Sequence, residues 1–161
     1  MSGEREVRRL AERYAVAVDT ADPAALADLF TADGALIIRA MGRREPLSEF
    51  RGSGTEGVGL MARLLGEVYE STLHHVTTHL ADVRGDEATA ITYCVAQHVA
   101  SGDDGRIMES VGVRYDDTCV RRDGSWRFRS RDVTCLWVRV EPLPRVGLLL
   151  DPVVTAALRG A

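Results

Sequence analysis

Several things are scarce in this sequence, and each scarcity narrows what the chain can be. Only three cysteines occur, Cys94, Cys119 and Cys135. They are odd in number and contain no Cys-x-x-Cys pair, which fits reduced thiols better than a disulfide framework. No run of about 18 apolar residues is present to cross a membrane. The opening residues, Met1-Ser2-Gly3-Glu4-Arg5-Glu6, lack the apolar core of a signal peptide. Basic residues are not in excess either: 20 Lys and Arg stand against 24 Asp and Glu, a net charge of −4. That balance argues against nucleic acid as the main partner. There is no internal repeat and no low-complexity segment. The expectation is a cytoplasmic protein of one domain over 1–161, long enough for a single substantial core.

Histidine is rare too, but it is concentrated. Three of the four histidines fall within the stretch Leu73-His74-His75-Val76-Thr77-Thr78-His79-Leu80. Alternation along a strand would put His74, Val76, Thr78 and Leu80 on one face and His75, Thr77 and His79 on the other. Histidine titrates near neutrality, so one that faces a pocket can move a proton.

The surroundings of this stretch have a legible order. Residues 3–19 carry Val7, Leu10, Ala11, Tyr14, Ala17 and Val18 at helical spacing, with Glu and Arg opposite. Asp22-Pro23 reads as an N-cap with proline at the first position of a second helix bearing Leu26, Leu29 and Phe30. Asp33-Gly34 then turns the chain into a short buried strand at 35–41 that includes Ile38. A further short strand is expected near 47–51. Residues 57–69 read as a third helix with the stripe Leu60, Met61, Leu64, Leu65 and Val68. From there on the chain is β-like. Residues 73–83, 88–100, 107–122 and 125–140 are separated by turn signals at 84–86, 101–105 and 123–124, which predicts a four-stranded antiparallel meander. Helices followed by a long sheet give an α+β layout with helices on one sheet face. If the sheet curls, its concave side and the helices enclose a pocket. The apolar tail, 141–161, is expected to pack on the pocket mouth or on a second subunit.

Four segments in this order resemble the SnoaL-like family of the nuclear-transport-factor-two-like superfamily. They are Ala17-Val18-Asp19-Thr20-Ala21-Asp22, Leu29-Phe30-Thr31-Ala32-Asp33-Gly34, Leu73-His74-His75-Val76-Thr77 and Arg121-Arg122-Asp123-Gly124-Ser125-Trp126-Arg127-Phe128. The resemblance covers roughly 5–140. It implies a cone-shaped α+β barrel, N-terminal helices packed on a curved, mostly antiparallel sheet around a pocket. The superfamily holds dehydratases, isomerases, cyclases, hydrolases and non-catalytic subunits, so the fold alone does not choose among them. The motifs are most similar to those of scytalone dehydratase and hexachlorocyclohexane dehydrochlorinase. Both use a histidine base paired with an aspartate at the end of the first helix. The resemblance therefore implies His74 as base and Asp19 as its partner, and places a second pocket histidine near His98.

Residue chemistry can be weighed beside that resemblance. A carboxylate at the C-terminus of a helix is opposed by the helix dipole, so Asp19 either accepts the N–H of an imidazole or serves the turn at 19–22. His98 depends on strand register. A three-residue loop at 85–87 would place it opposite His74, whereas a two-residue loop at 85–86 would oppose His74 with Gln97 and better match the apolar pattern. A metal is not expected: His75 and His79, four residues apart on one face, would be about 13 Å apart at roughly 3.3 Å per residue, too far for one zinc. Tyr14, Val18, Ile38, Leu65, Tyr69, Tyr115, Cys135 and Trp137 are candidates for the pocket wall, although packing explains them equally. Arg131 is a candidate to stabilise an anion, but Arg127, Arg129 and Arg131 alternate as on a solvated strand face. Asp116, Asp117 and Asp132 are acids in strands, one of which could face inward.

The expected function is a small cofactor-independent lyase or isomerase. His74, oriented by Asp19, would abstract a proton from a hydrophobic metabolite of polyketide, terpenoid or aromatic type, with His98 or a hydroxyl as donor. Dehydration, isomerisation and cyclisation all remain open, and a homodimer or homotrimer is expected. The alternative is a non-catalytic ligand-binding or assembly subunit, as in ring-hydroxylating dioxygenases.

Overall fold

The computed structural model describes residues 3–102 and 105–143. Helix α1, Gly3–Asp19, buries Val7, Leu10, Ala11, Tyr14, Ala15, Ala17 and Val18, the three- and four-residue spacing of one helix face. Helix α2, Pro23–Asp28, starts at a capping aspartate: Asp22 accepts hydrogen bonds from the Ala24 and Ala25 backbone N–H groups at 3.0 and 2.9 Å. Strands β1, Phe30–Ala40, and β2, Ser48–Arg51, form a hairpin. Helix α3, Gly59–Val68, follows, and then the long strands β3, Ser71–Arg84; β4, Glu87–Gly102; β5, Gly105–Arg122; and β6, Ser125–Pro142.

All six strands form one sheet in the order β2-β1-β6-β5-β4-β3, antiparallel except where β1 runs parallel to β6. The β5–β6 hairpin turns through Asp123 and Gly124, both with positive φ (50° and 75°), the backbone that a two-residue turn needs to match strand twist. Helix α1 lies along β3, and α2 and α3 pack together beside it, so one face of the sheet is covered. The result is a curved, unclosed α+β cone. Its core joins the inward face of the sheet (Ala90, Cys94, Ala96, Val111, Val113, Tyr115, Phe128, Val133) to Leu10, Tyr14, Val18, Leu26 and Met61 from the helices.

Bulges govern which residues face that core. On β3, Val76 pairs with Cys94 but His79 pairs with Thr92, so Thr77 and Thr78 together oppose Tyr93. One extra residue inverts the alternation beyond it. The inward set is therefore Thr72, His74, Val76, His79, Ala81 and Val83. His79 faces inward with His74, where strict alternation would have put it on the outer face, and Leu80 is turned outward with 72% exposure. Burial holds the His79 ring below the ordinary histidine range, with charges on Arg8, Glu12, Asp117 and Arg131 around it. Strand β6 carries two more bulges, at Arg129 and Leu136. The first breaks the expected Arg127–Arg129–Arg131 alternation: Arg129 is exposed and Arg131 fully buried.

Other elements differ from the sequence expectation in detail. The second helix ends before Leu29, and Phe30 opens β1, so Asp33-Gly34 lies in an irregularity within that strand. On α3 the buried face is Val58, Met61 and Ala62, with Leu65 partly buried, whereas Leu64 and Val68 are exposed. The helix is rotated because its start sits tightly on α2: a Cβ on Gly59 would stand 2.5 Å from the Pro23 carbonyl oxygen. Of the apolar tail expected at 141–161, Glu141 and Pro142 end β6, and 144–161 lie outside the described residues.

Candidate functional site

The last residue of α1 meets the start of β3. Asp19 Oδ1 accepts a hydrogen bond from Thr72 Oγ1 at 2.9 Å and faces His74 Nδ1 at 2.6 Å. Its other oxygen, Oδ2, accepts from the His74 backbone N–H at 2.9 Å. Thr72 and His74 share a face because they are two apart on one strand, so a single carboxylate receives both side chains and the backbone between them. Burial alone would raise the Asp19 carboxyl, but the hydrogen bonds from His74 and Thr72 outweigh it and hold the group below the ordinary carboxylate range. A carboxylate at Asp19 requires Nδ1–H on His74, which leaves the lone pair on Nε2. The His74 side chain is 7% exposed, so this lone pair sits in a largely dehydrated setting.

His98 joins this pair from β4. The β3–β4 turn has the two-residue form, Arg84 pairing with Glu87, but the β3 bulge shifts the register so that His74 opposes Ala96 rather than Gln97. His98 then opposes Thr72 on the same inward face, with its ring centroid 5.6 Å from that of His74. Tyr69, just before β3, lies against the other side of His98 at 4.6 Å between centroids. Tyr69 donates its hydroxyl to Glu109 Oε2 at 2.6 Å, and burial together with that contact pushes the phenol up to about 12. Both ring nitrogens of His98 are buried without a hydrogen-bond partner among the described residues. Burial and the neighbouring His74 push its ring below the ordinary histidine range, against the pull of Glu109.

The remaining wall candidates separate into groups. Ile38 pairs with Val133 and Cys135 pairs with Val113, both partly buried on the inward face, and Leu65 packs on the same core from α3. Val18 is core, one residue before Asp19. Tyr14, Tyr115 and Arg131 form a separate buried cluster. The Arg131 guanidinium donates to both Asp117 oxygens at 2.8 and 2.7 Å and lies 4.2, 4.3 and 4.1 Å from the ring centroids of Tyr14, Tyr115 and Phe128. It is fully buried, held by Asp117 and surrounded by three rings, which corrects the reading of Arg131 as an anion stabiliser. Trp137 is also corrected. The β6 bulge at Leu136 pairs it with Gly112 on the outward face, where its indole covers the glycine and remains 49% exposed.

Sequence reasoning passed over Glu109, Thr72 and the inward turn of His79. Thr72 was legible as the residue two before His74. Glu109 could have been found by counting across the 101–105 turn from His98. His79 depended on the bulge, which no residue at 77–78 announces. Open clefts also lie elsewhere, one of about 790 Å³ between α2, β1 and β6, but its Arg127 and Arg129 are already paired with Asp28 and Glu87.

Comparison with known proteins places the fold. The family model of the SnoaL-like domain matches residues 1–132. No curated protein matches the chain in sequence. Among solved structures, a candidate scytalone dehydratase from Novosphingobium aromaticivorans superposes with a TM-score of 0.71 at 22% identity, over 87% of this chain and 88% of that one. A type 2 hexachlorocyclohexane dehydrochlorinase gives 0.70 at 19% identity, over 92% and 93%. The beta subunit of a candidate aromatic-ring-hydroxylating dioxygenase from Novosphingobium aromaticivorans gives 0.64 at 18%, over 91% and 94%. At these identities the likeness is one of fold.

Proposed function

The chain belongs to the SnoaL-like domain family, and from that membership we propose that it is a cofactor-independent enzyme that eliminates or isomerises a hydrophobic small molecule by proton abstraction. The observation that carries this reading is the Asp19–His74 contact, 2.6 Å long and reinforced by two further donors to the same carboxylate. A merely structural aspartate at a helix end would do as well facing water. Here it orients an imidazole and stabilises the imidazolium that forms when Nε2 takes a proton. His98 stands across from His74 with unpartnered nitrogens, placed to give a proton to a leaving or enolate oxygen. Ile38, Leu65, Val111 and Val113 make the surrounding core apolar, which suits a carbon skeleton rather than a sugar phosphate.

The test is turnover of a panel of β-hydroxy ketones and chlorinated cyclic hydrocarbons by the wild type and by His74→Ala. Loss of the base should slow product formation by about 10²–10⁴-fold. Full activity in His74→Ala would overturn the mechanism. A second reading, a non-catalytic assembly subunit, is favoured by the outward Trp137, an exposed anchor of the kind interfaces use. It predicts no turnover of any panel member, and binding to a larger partner that Trp137→Ala weakens.

A further inference from the structure

The dyad accounts for Asp19, Thr72 and His74, but not for the carboxylate on the other side of His98. Glu109 lies directly across from His98 in the β4–β5 register, so the two side chains share the inward face. Its Oε2 accepts the Tyr69 hydroxyl at 2.6 Å and stands 3.5 Å from His98 Nδ1, a distance beyond an ordinary hydrogen bond but closed by a shift of about half an ångström. Tyr69 is fixed at this spot. Its ring lies on His98, and the Glu70 N–H donates to the Val99 carbonyl at 2.7 Å, tying the entry of β3 to the strand that carries His98. His98 itself is 9% exposed, with neither nitrogen partnered among the described residues. A buried imidazole with two open nitrogens and a carboxylate within reach of one of them is an incomplete pair.

We propose that Glu109 is the positioning residue of His98, accepting its Nδ1–H and favouring the imidazolium, whose Nε2–H is then the proton donor opposite the Asp19–His74 base. This rests on the reading of His74 as base and deepens it. Two carboxylate–imidazole units then face each other, one to take a proton and one to give it. For a substrate with a hydroxyl β to an acidic C–H, His74 Nε2 takes the carbon-bound proton and that electron pair becomes the new C=C bond. The C–O bond breaks, and the His98 Nε2 proton goes to the departing oxygen, which leaves as water. His74 ends protonated and His98 neutral with Nδ1–H still on Glu109, and proton exchange with solvent restores both. Such a donor suits a hydroxyl leaving group, because hydroxide needs that proton and a halide does not.

The titratable and charged groups facing His98 are His74 on β3, Asp19 at the end of α1, Tyr69 before β3 and Glu109 on β5, with Cys135 of β6 on the far side of Glu109. Of these, Glu109 works against the burial and the His74 neighbour that favour the neutral ring. The phenol of Tyr69 competes for the same Glu109 oxygen.

The experiment is a pH titration of the imidazole ring signals by NMR on the whole chain, whose four histidines are assignable by single replacement. Glu109→Gln should lower the proton affinity of His98 by about tenfold. Tyr69→Phe, which keeps the carboxylate and removes its competitor, should raise it. Glu109→Asp should fall between wild type and Glu109→Gln. A carboxylate that only anchored Tyr69 would leave His98 unmoved in both Glu109→Gln and Tyr69→Phe, or move it the same way in both, and either result overturns the proposal. If Glu109→Gln does not fold, Tyr69→Phe alone decides by the sign of its shift. The base reading is checked separately in the same spectra: Asp19→Asn should alter the tautomer signals of His74, and failure there sinks the dyad whatever His98 does.

Discussion

Replacing Asp117 by asparagine should destabilise the protein more than replacement of any exposed acid. The substitution keeps the shape of the side chain and removes only its charge. Arg131 is fully buried, its guanidinium bonded at 2.8 and 2.7 Å to Asp117 and enclosed by three aromatic rings at 4.1–4.3 Å. The desolvation of such an ion is offset chiefly by its partner, so breaking the pair costs about 3–5 kcal/mol. The rings contribute about 2 kcal/mol to holding a dehydrated cation, but their faces accept no hydrogen bonds in the guanidinium plane and do not replace the carboxylate. Against a typical total of about 5–15 kcal/mol, the loss is about a fifth or more of the stability. At about 2–4 °C per kcal/mol for a chain of this size, the melting temperature should drop by roughly 6–20 °C. Urea unfolding followed by far-UV circular dichroism measures it directly. The double variant Asp117→Leu with Arg131→Met, which removes both charges, should recover most of the loss. A change under about 1 kcal/mol in Asp117→Asn, or a double variant no better than the single, would refute the claim that this pair is a tightly coupled buried unit.

Asp19 should leave a signature in acid. Because its folded carboxyl lies below the ordinary range, its contribution to stability is present above the usual value of about 4 and is lost as pH falls through the folded value. The gap between wild type and Asp19→Asn in urea midpoint should therefore shrink as the pH falls below about 4, and a gap that keeps widening below that pH would contradict the hydrogen-bond account. Gly112→Ala should push the Trp137 indole off the sheet and change its fluorescence. The indole is half-exposed and can swing into solvent, so the expected stability change is under about 1 kcal/mol and the His74 ring signals should not move.

How much of this was legible in the residues depends on which rule was at stake. Periodicity and turn chemistry located every helix and strand among the described residues, because Val7, Leu10 and Tyr14 recur at one helix spacing and Asp123-Gly124 needs a positive-φ turn. The pairing of Asp19 with His74 was suggested by motif resemblance and by an acid at an unfavourable helix end. What could not be read was facing. Arg131 and His79 were each assigned by counting twos, and each lies beyond a bulge that adds one residue to the count; Trp137, a candidate for the pocket wall, lies beyond another. Register across the sheet failed for the same reason: the two turn lengths considered would oppose His74 with His98 or Gln97, and although the turn has the two-residue form that the apolar pattern favours, His74 opposes Ala96 because of an insertion several residues away. Glu109 went unnoticed because its role exists only across the sheet from His98.

The extra residue at Thr77-Thr78 gives β3 two phases. Its first half presents Thr72 and His74 to the chemistry, and its second half presents His79, Ala81 and Val83 to the flank of α1. Point substitutions can tune either half, but none can move a side chain from one wall to the other. Deleting a single threonine would remove the extra residue and restore a regular ladder with His79, Ala81 and Val83 still inward; deleting both would send Leu80 and Asp82 inward and Ala81 and Val83 out, while the dyad half kept its frame. The strand is thus a spliced ruler, and changes of length, rather than of residue type, are what would rewrite the interior of this cone.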